Sequence, residues 1–213
     1  MSPSTADCRN LHHASEIGAL RTVEQILLRT GVNILNCRVG GTTPLKEAAE
    51  EGYRDILELL LSKGADVSLV GDDCDTILHL ACYGGDIGTV KYILSLNAVD
   101  FNKSRGMKNR TPVMVAAYPG NRKVVNLLVT KGADVSLVDD YGDTILHLAC
   151  RGGNVSTVRF LLSLNVVDID ARNKKGRIAA AIARNKGHRP AALTVPCSVI
   201  SSTVILSHIL TKL

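Results

Sequence analysis

The residue types that could do chemistry in this chain are histidine and cysteine, and some of them recur in the same local sequence. His79 and Cys82 lie in the segment TILHLAC, and His147 and Cys150 lie in an identical segment sixty-eight residues later. Imidazole nitrogens and thiolates are common zinc ligands, and a Cys–His pair also forms many nucleophilic sites. Whether these side chains can act together depends on the elements that carry them.

Those elements belong to a repeat of about thirty-four residues. Residues 66–85 and 134–153 are nearly identical, at an offset of two such periods. A regular period of this length predicts a fold built from small structural units that stack on one another. Threonine-led anchors begin at Thr43, Thr76, Thr111 and Thr144, at spacings of 33, 35 and 33, and weaker copies lie at 11–14 and 176–188.

Each repeat predicts two short helices separated by a glycine. The threonine is an N-cap residue type, and in two repeats proline follows it at the first helical position. The second helix has apolar residues at helical spacing and stops at Gly64 or Gly132, or at Asn97 or Asn165 in alternate repeats. Glycine and asparagine are the residues that most readily take the left-handed conformation at a helix C-terminus. A polar, hairpin-like loop, here called a finger, leads to the next threonine.

With these features the chain resembles the ankyrin repeats, whose unit is a β-turn finger and two antiparallel helices with a T-P-L-H-x-A signature. The resemblance covers residues 8–188 and implies an all-α solenoid of about five full repeats and a degenerate sixth. We expect residues 1–7 to form a flexible N-terminus without the features of a signal peptide, and residues 189–213 to form a diverged tail.

The resemblance also implies a structural role for the signature histidine. His12, His79 and His147 occupy that position, where the ring is expected to bond the loop backbone. Because these residues are separated by at least one repeat, they are not expected to converge on a metal ion. Lys46 and Met114 replace the histidine in two repeats.

The cysteines show no C-x-x-C spacing. Cys82 and Cys150 occupy one position two repeats apart, which places their sulfur atoms roughly 20 Å apart for helices that stack at 8–10 Å. Cys74 stands where the finger usually has glycine, so we expect an altered turn there. Reduced cysteines suit an intracellular protein, cytoplasmic or nuclear, and we expect no metal and no cofactor. The six cysteines are Cys8, Cys37, Cys74, Cys82, Cys150 and Cys197.

No catalytic set and no phosphate-binding glycine loop can be identified, so we expect a non-enzymatic scaffold that binds a protein partner and is itself a monomer. Ankyrin repeats generally bind partners on the concave face made by the fingers and the ends of the first helices, and tyrosine and arginine are enriched at binding hot spots. The residues expected to bind the partner by position and type are Glu50, Glu51, Asp73, Tyr83, Arg105, Lys108, Tyr118, Asp140, Tyr141, Arg151 and Lys174.

Two alternatives remain open from the sequence. The basic fingers at 103–110 and 172–177 could serve a nucleic-acid-associated regulator, although the formal net charge is only +5 and an acidic finger lies between them. The uncharged segment 195–210 could be a cap over the last repeat, the product of a truncated reading frame or a weak membrane anchor. A span usually needs about 20 apolar residues, and this segment contains serines and a proline, which disfavours the anchor.

Overall fold

The described part of the chain is helical. The computed structural model describes residues 4–72, 74–98, 100–102 and 106–195, and over these residues the β-structure consists of two isolated bridges. The all-helical prediction is confirmed. The α-helices are α1 (Thr5–Glu16), α2 (Leu20–Thr30), α3 (Pro44–Glu51), α4 (Arg54–Ser62), α5 (Ile77–Gly84), α6 (Ile87–Ser95), α7 (Pro112–Ala117), α8 (Arg122–Thr130), α9 (Ile145–Gly152), α10 (Val155–Ser163), α11 (Ala179–Asn185) and α12 (Arg189–Thr194).

Local sequence signals set the ends of these helices as predicted. Thr76 and Thr144 are N-cap residues with reciprocal side-chain and backbone bonds to the third helical residue. Asn97 and Asn165 end their repeats with φ values of 51° and 53°, in the left-handed region. The altered turn expected at Cys74 is not observed, because Cys74 takes the left-handed conformation at φ 61°, close to the 71° of Gly142 at the corresponding position of a later repeat.

Internal contacts divide the chain into two compact units, unit 1 (Met1–Pro112) and unit 2 (Val113–Leu213). In unit 1 the first helices α1, α3 and α5 pack side by side, and each contacts the second helix of its own repeat. In unit 2 the first helices α9 and α11 pack in the same way, with α10 and α12 behind them. The cores are aliphatic, as the composition indicates, and fully buried members include Ile56, Leu60, Leu128, Leu146 and Leu161.

The expectation that all cysteines are reduced is wrong for the first repeat. Cys8 and Cys37 form a disulfide with a Cα–Cα distance of 6.1 Å, within the usual range for this bond. Cys8 lies near the beginning of α1 and Cys37 follows α2, and antiparallel helices bring the beginning and the end of such a hairpin together. The repeat spacing considered for Cys82 and Cys150 does not apply to this pair. Cys82 and Cys150 are buried and are not part of a disulfide, and burial raises the pKa of the Cys150 thiol to about 12.

The C-terminal helix α12 has Pro190 in its first turn and ends at Thr194. Of the tail segment 195–210, all but residue 195 lies outside the described residues, as does Cys197. Within the described ranges, no helix combines the length and apolar character needed to cross a bilayer. The proposed division of the chain at residues 7/8 and 188/189 stays a prediction.

Candidate protein-interaction surface

The second to fifth fingers share one backbone geometry. In the fourth finger, Asp139 N donates to Asp143 O at 3.0 Å and Gly142 N donates to Asp139 O at 2.8 Å. The same pair of bonds recurs in the described residues of the fingers that begin at Gly71, Gly106 and Asn173. This common turn holds each fingertip at a defined position relative to its own repeat.

Histidine connects the fingers to the helices in the way that the family resemblance implies. His79 Nε2 lies 3.0 Å from Arg110 O, and His147 Nε2 lies 2.9 Å from Arg177 O. On the opposite side of each ring, Nδ1 accepts from the backbone N–H of Thr76 or Thr144. Both contacts are satisfied by a neutral ring that carries its proton on Nε2, and burial lowers the pKa of His79 accordingly.

In the second repeat, Lys46 makes the contact to the finger carbonyl but not the contact to the N-cap backbone. Its Nζ donates to Asp75 O at 2.6 Å, and its side chain is buried. A lysine cannot accept a bond from the N-cap backbone as histidine does, and Thr43 has no side-chain cap bond. Burial lowers the pKa of Lys46 to about 8, an effect that the neighbouring Asp75 carboxylate opposes.

In unit 2, a continuous path of contacts joins the end of one first helix to the end of the next. A methyl group on Gly152 would overlap the carbonyl oxygen of Tyr118, so the two segments touch through their backbones. The next residue back, Arg151, forms an ion pair with Asp143, whose side chain is completely buried. Asn173 Nδ2 donates to the other oxygen of Asp143 at 2.7 Å. Arg151 therefore has a structural partner within its own unit.

The same path continues to the fingertips. Lys174 N donates to Tyr141 O at 2.9 Å, which places the tips of the fourth and fifth fingers side by side. Asp139 supports the tip from below, because its Oδ1 accepts from the backbone N–H groups of Tyr141 and Asp143 at 2.9 Å each. Asn173 repeats this arrangement in the fifth finger through bonds from Lys175 N and Arg177 N. These contacts join the chain segments that carry Tyr118, Tyr141 and Lys174, and we call the exposed side chains of these segments the unit 2 surface.

The two tyrosine side chains on this surface are solvent-exposed, although the apolar side chains of the neighbouring helix α9 are buried. Tyr118 is 39% exposed and Tyr141 is 42% exposed, whereas Leu146 and Ala149 of α9 are completely buried. Asp140 and Lys174 are also exposed, and Arg151 is half-buried over Asp143. The structure thus brings five predicted binding residues into one neighbourhood of unit 2.

The remaining predicted residues belong to unit 1. A methyl group on Gly84 would overlap the carbonyl oxygen of Glu50, so Tyr83, which is 46% exposed, stands beside the end of α3. Glu51 is exposed, and Glu50 is half-buried with a pKa raised by burial and by the neighbouring carboxylates. Lys108 is exposed on the third finger. The predicted residues Asp73 and Arg105 lie outside the described residues.

Sequence reasoning missed Asp143 and Asn173, the buried polar pair that supports the unit 2 surface. A signal was available, because Asp143 directly precedes the capping Thr144 and aspartate is rarely buried without a partner. The partner, however, comes from the next repeat, thirty residues further along the chain. A single repeat does not indicate which residue of its neighbour will supply the bond.

Comparison with known proteins agrees with this architecture. The family profile described as "Ankyrin repeats (3 copies)" matches residues 5–71, 68–139 and 114–195, which together span most of the chain. The chain belongs to the ankyrin repeat family. Members of this family generally mediate protein–protein interactions and are generally non-catalytic.

Similar proteins are much longer than this chain. A transient receptor potential cation channel subfamily A member 1 homolog from Caenorhabditis elegans is 30% identical over 85% of this chain and 18% of its own length. The B-cell lymphoma 3 protein homolog of Mus musculus is 32% identical over 70% of this chain and 35% of its own length. The chain therefore spans about a third or less of these two relatives.

A solved structure supports the fold along most of the chain. One chain from the complex of a predatory endopeptidase with an immunity protein, from Bdellovibrio bacteriovorus, superimposes with a TM-score of 0.71 at 26% identity. The match covers 88% of this chain and 96% of the other chain.

Proposed function

We propose that this ankyrin-repeat chain is a non-catalytic module that binds a protein partner, and that the unit 2 surface supplies a principal part of the binding energy. The observation that carries the proposal is the exposure of Tyr118 and Tyr141 beside helix α9, whose apolar side chains are buried. Tyrosine offers a large contact area with little conformational entropy to lose, and it is enriched among binding hot spots.

The charges around the two tyrosines suit a protein ligand. Asp140 and Lys174 lie on adjacent fingertips and have opposite signs. Such an arrangement favours a partner with complementary charges in a fixed register, and contributes more to specificity and association rate than to affinity. Tyr83 with Glu50 and Glu51 forms a second, separate candidate surface on unit 1.

The nucleic-acid alternative has weaker support in the fifth finger. Arg172 donates from NH1 to Gly176 O at 2.8 Å within the same turn, and Arg177 is half-buried. The Arg172 guanidinium is thus engaged within the finger itself. Nucleic-acid binding that relied on such a finger would fall steeply with added salt, because phosphate contacts release counterions.

The test is affinity capture from a cell lysate with three forms of the full-length chain. These are the wild type, a Tyr118→Ser/Tyr141→Ser variant, and a control variant, Val166→Ser/Leu193→Ser. The control residues are also exposed apolar side chains of unit 2, at 61% and 84% exposure, and lie off the unit 2 surface by sequence position. Hot-spot side chains contribute about 2 kcal/mol or more each, so the tyrosine variant should capture at least tenfold less partner.

All three proteins should show the same helical circular dichroism and melting temperature. Capture that survives the tyrosine substitutions, or that the control variant loses equally, would contradict the assignment. Captured nucleic acid without protein would instead favour the alternative function.

A further inference from the structure

We propose that Cys8, His12 and Cys37, once the cysteines are reduced, form a binding site for a thiophilic divalent metal ion such as Zn²⁺. One ligand atom from each of the three residues lies within 4.8 Å of the other two. Tetrahedral zinc with sulfur and nitrogen ligands needs separations of roughly 3.5–4 Å, because the bonds are about 2.0–2.3 Å long. Reduction of the disulfide would leave the two sulfur atoms free to move apart to this separation.

The local fold brings these ligands together. Cys8 and His12 lie four residues apart on α1, so they project from the same face of the helix. Cys37 arrives from the loop that follows α2, and its carbonyl oxygen lies 3.1 Å from His12 Nε2. His12 is only 5% exposed, and both cysteines are half-buried. The site is thus partly shielded from water and still accessible to an ion.

The chain contains internal comparisons that separate this cluster from the ordinary ankyrin framework. His79 and His147 bond to a backbone carbonyl in the same way as His12, but the residue that supplies the carbonyl is an arginine in both cases. Four residues before each of them stands an aspartate, where the first repeat has Cys8. The histidine contact therefore forms in two repeats without cysteine at either of these two positions, so Cys8 and Cys37 are an addition to it.

Glu47 provides a further feature typical of metal sites. Its Oε1 lies 3.7 Å from His12 Nδ1, which is the ring nitrogen that does not face Cys37 O. A neutral imidazole has one N–H group and so can donate to only one of these two oxygen atoms. If Nε2 binds the metal, Nδ1–H is left to donate to Glu47, and metal-bound histidines commonly donate to a carboxylate in this way.

The disulfide and the metal complex are alternative states of the same two sulfur atoms. Reduction by a cellular dithiol transfers two electrons and two protons to Cys8 and Cys37, breaks their S–S bond and leaves the dithiol as a disulfide. Binding of Zn²⁺ then releases the two thiol protons, because thiolate is the ligand form. Two thiolates and one imidazole occupy three positions, and water completes the coordination shell.

The experiment uses the full-length chain reduced with a phosphine, which is itself oxidised to the phosphine oxide, and titrated with Zn²⁺ against a chromophoric chelator. The reduced wild type should bind one zinc ion per chain, and the oxidised wild type should bind none. Cys8→Ser and Cys37→Ser should no longer compete with the chelator. Cys74→Ser is the matched control, because Cys74 is an exposed free cysteine outside the cluster, and it should bind zinc as the wild type does.

Cobalt provides an independent spectroscopic signature. Co²⁺ added to the reduced wild type should give a thiolate-to-metal charge-transfer band and the visible bands of a tetrahedral complex, and Cys8→Ser should weaken both. Glu47→Gln should lower zinc affinity by about tenfold or more, in line with the effect of losing a group that orients a ligand. Circular dichroism of each reduced variant verifies that it is folded.

Failure of the reduced wild type to bind zinc would overturn the proposal. Equal loss of binding in Cys74→Ser would also overturn it, as would a cobalt complex without the thiolate band. Unchanged affinity in Glu47→Gln would remove Glu47 from the site.

Discussion

Replacement of Arg151 by alanine should destabilise the chain, although Arg151 was predicted from the sequence as a binding residue. Its guanidinium is the charged partner of Asp143, whose side chain has no exposed surface and would keep only the bond from Asn173 Nδ2. Removal of one partner from a buried ion pair costs about 3–5 kcal/mol. Since Arg151 itself is 25% exposed, water can replace part of its interaction, so we expect a loss of about 2–3 kcal/mol.

The assay is urea denaturation followed by circular dichroism, with the free energy of unfolding extrapolated to zero denaturant. Arg159→Ala is the control, because Arg159 is an exposed arginine on the neighbouring helix α10, and it should change stability by no more than about 0.5 kcal/mol. If Arg151 acts through Asp143, an Asp143→Asn/Arg151→Ala double variant should lose less than the sum of the single losses. A change below about 0.5 kcal/mol in Arg151→Ala would refute the reasoning.

Three further predictions concern stability. Lys46→His should raise the free energy of unfolding by about 1 kcal/mol in urea denaturation, since histidine can donate to the finger carbonyl and accept from the N-cap backbone without burying a charge. The folded-state pKa of Lys46 is lowered from 10.5 to about 8, so between these pH values the unfolded wild type binds more protons than the folded wild type. The wild type therefore becomes more stable as pH rises across this window, and the difference in free energy of unfolding between the variant and the wild type should shrink. A difference that stays constant with pH would contradict this. Gly152→Ala should lower the free energy of unfolding by about 1–3 kcal/mol, because the new methyl group meets the backbone of Tyr118. The control Gly88→Ala should be neutral or stabilising, because Gly88 lies within a helix and its new methyl group would be near only a side-chain oxygen, at 3.2 Å. Equal effects of the two substitutions would show that the close approach at Gly152 does not affect stability. Reduction of the Cys8–Cys37 disulfide in the presence of a chelator should lower the free energy of unfolding by about 3–4 kcal/mol, the loop-entropy value for a separation of 29 residues. An unchanged melting temperature after reduction would contradict this contribution.

The regular features of the fold could be predicted because each one is encoded locally and repeated. Threonine before an apolar run gave the helix starts at Thr76 and Thr144, and asparagine gave the left-handed ends at Asn97 and Asn165. These signals depend on backbone preferences of single residues, and agreement between several copies removes most of the ambiguity.

Contacts between repeats could be predicted much less well. The Asp143–Asn173 bond and the Lys46 contact to Asp75 O join residues about one repeat apart, and Lys46 also departs from the family signature. The Cys8–Cys37 bond depends on the ends of a helical hairpin meeting, which spacing within a motif does not reveal. For the binding surface, the sequence indicated residue types and positions, but only the structure shows that Arg151 is already paired with Asp143.

Site-specific photo-crosslinking would show directly whether a protein partner contacts the unit 2 surface. A photoreactive phenylalanine analogue would replace Tyr141 in one full-length protein and Val166, an exposed residue at 61%, in another, and both would be irradiated in lysate. We expect the analogue at position 141 to crosslink a protein partner, and excess unmodified chain to compete this product away. The analogue at position 166 should give no such product. Equal crosslinking at the two positions, or crosslinking that the unmodified chain does not compete, would contradict the unit 2 surface as the site of partner binding.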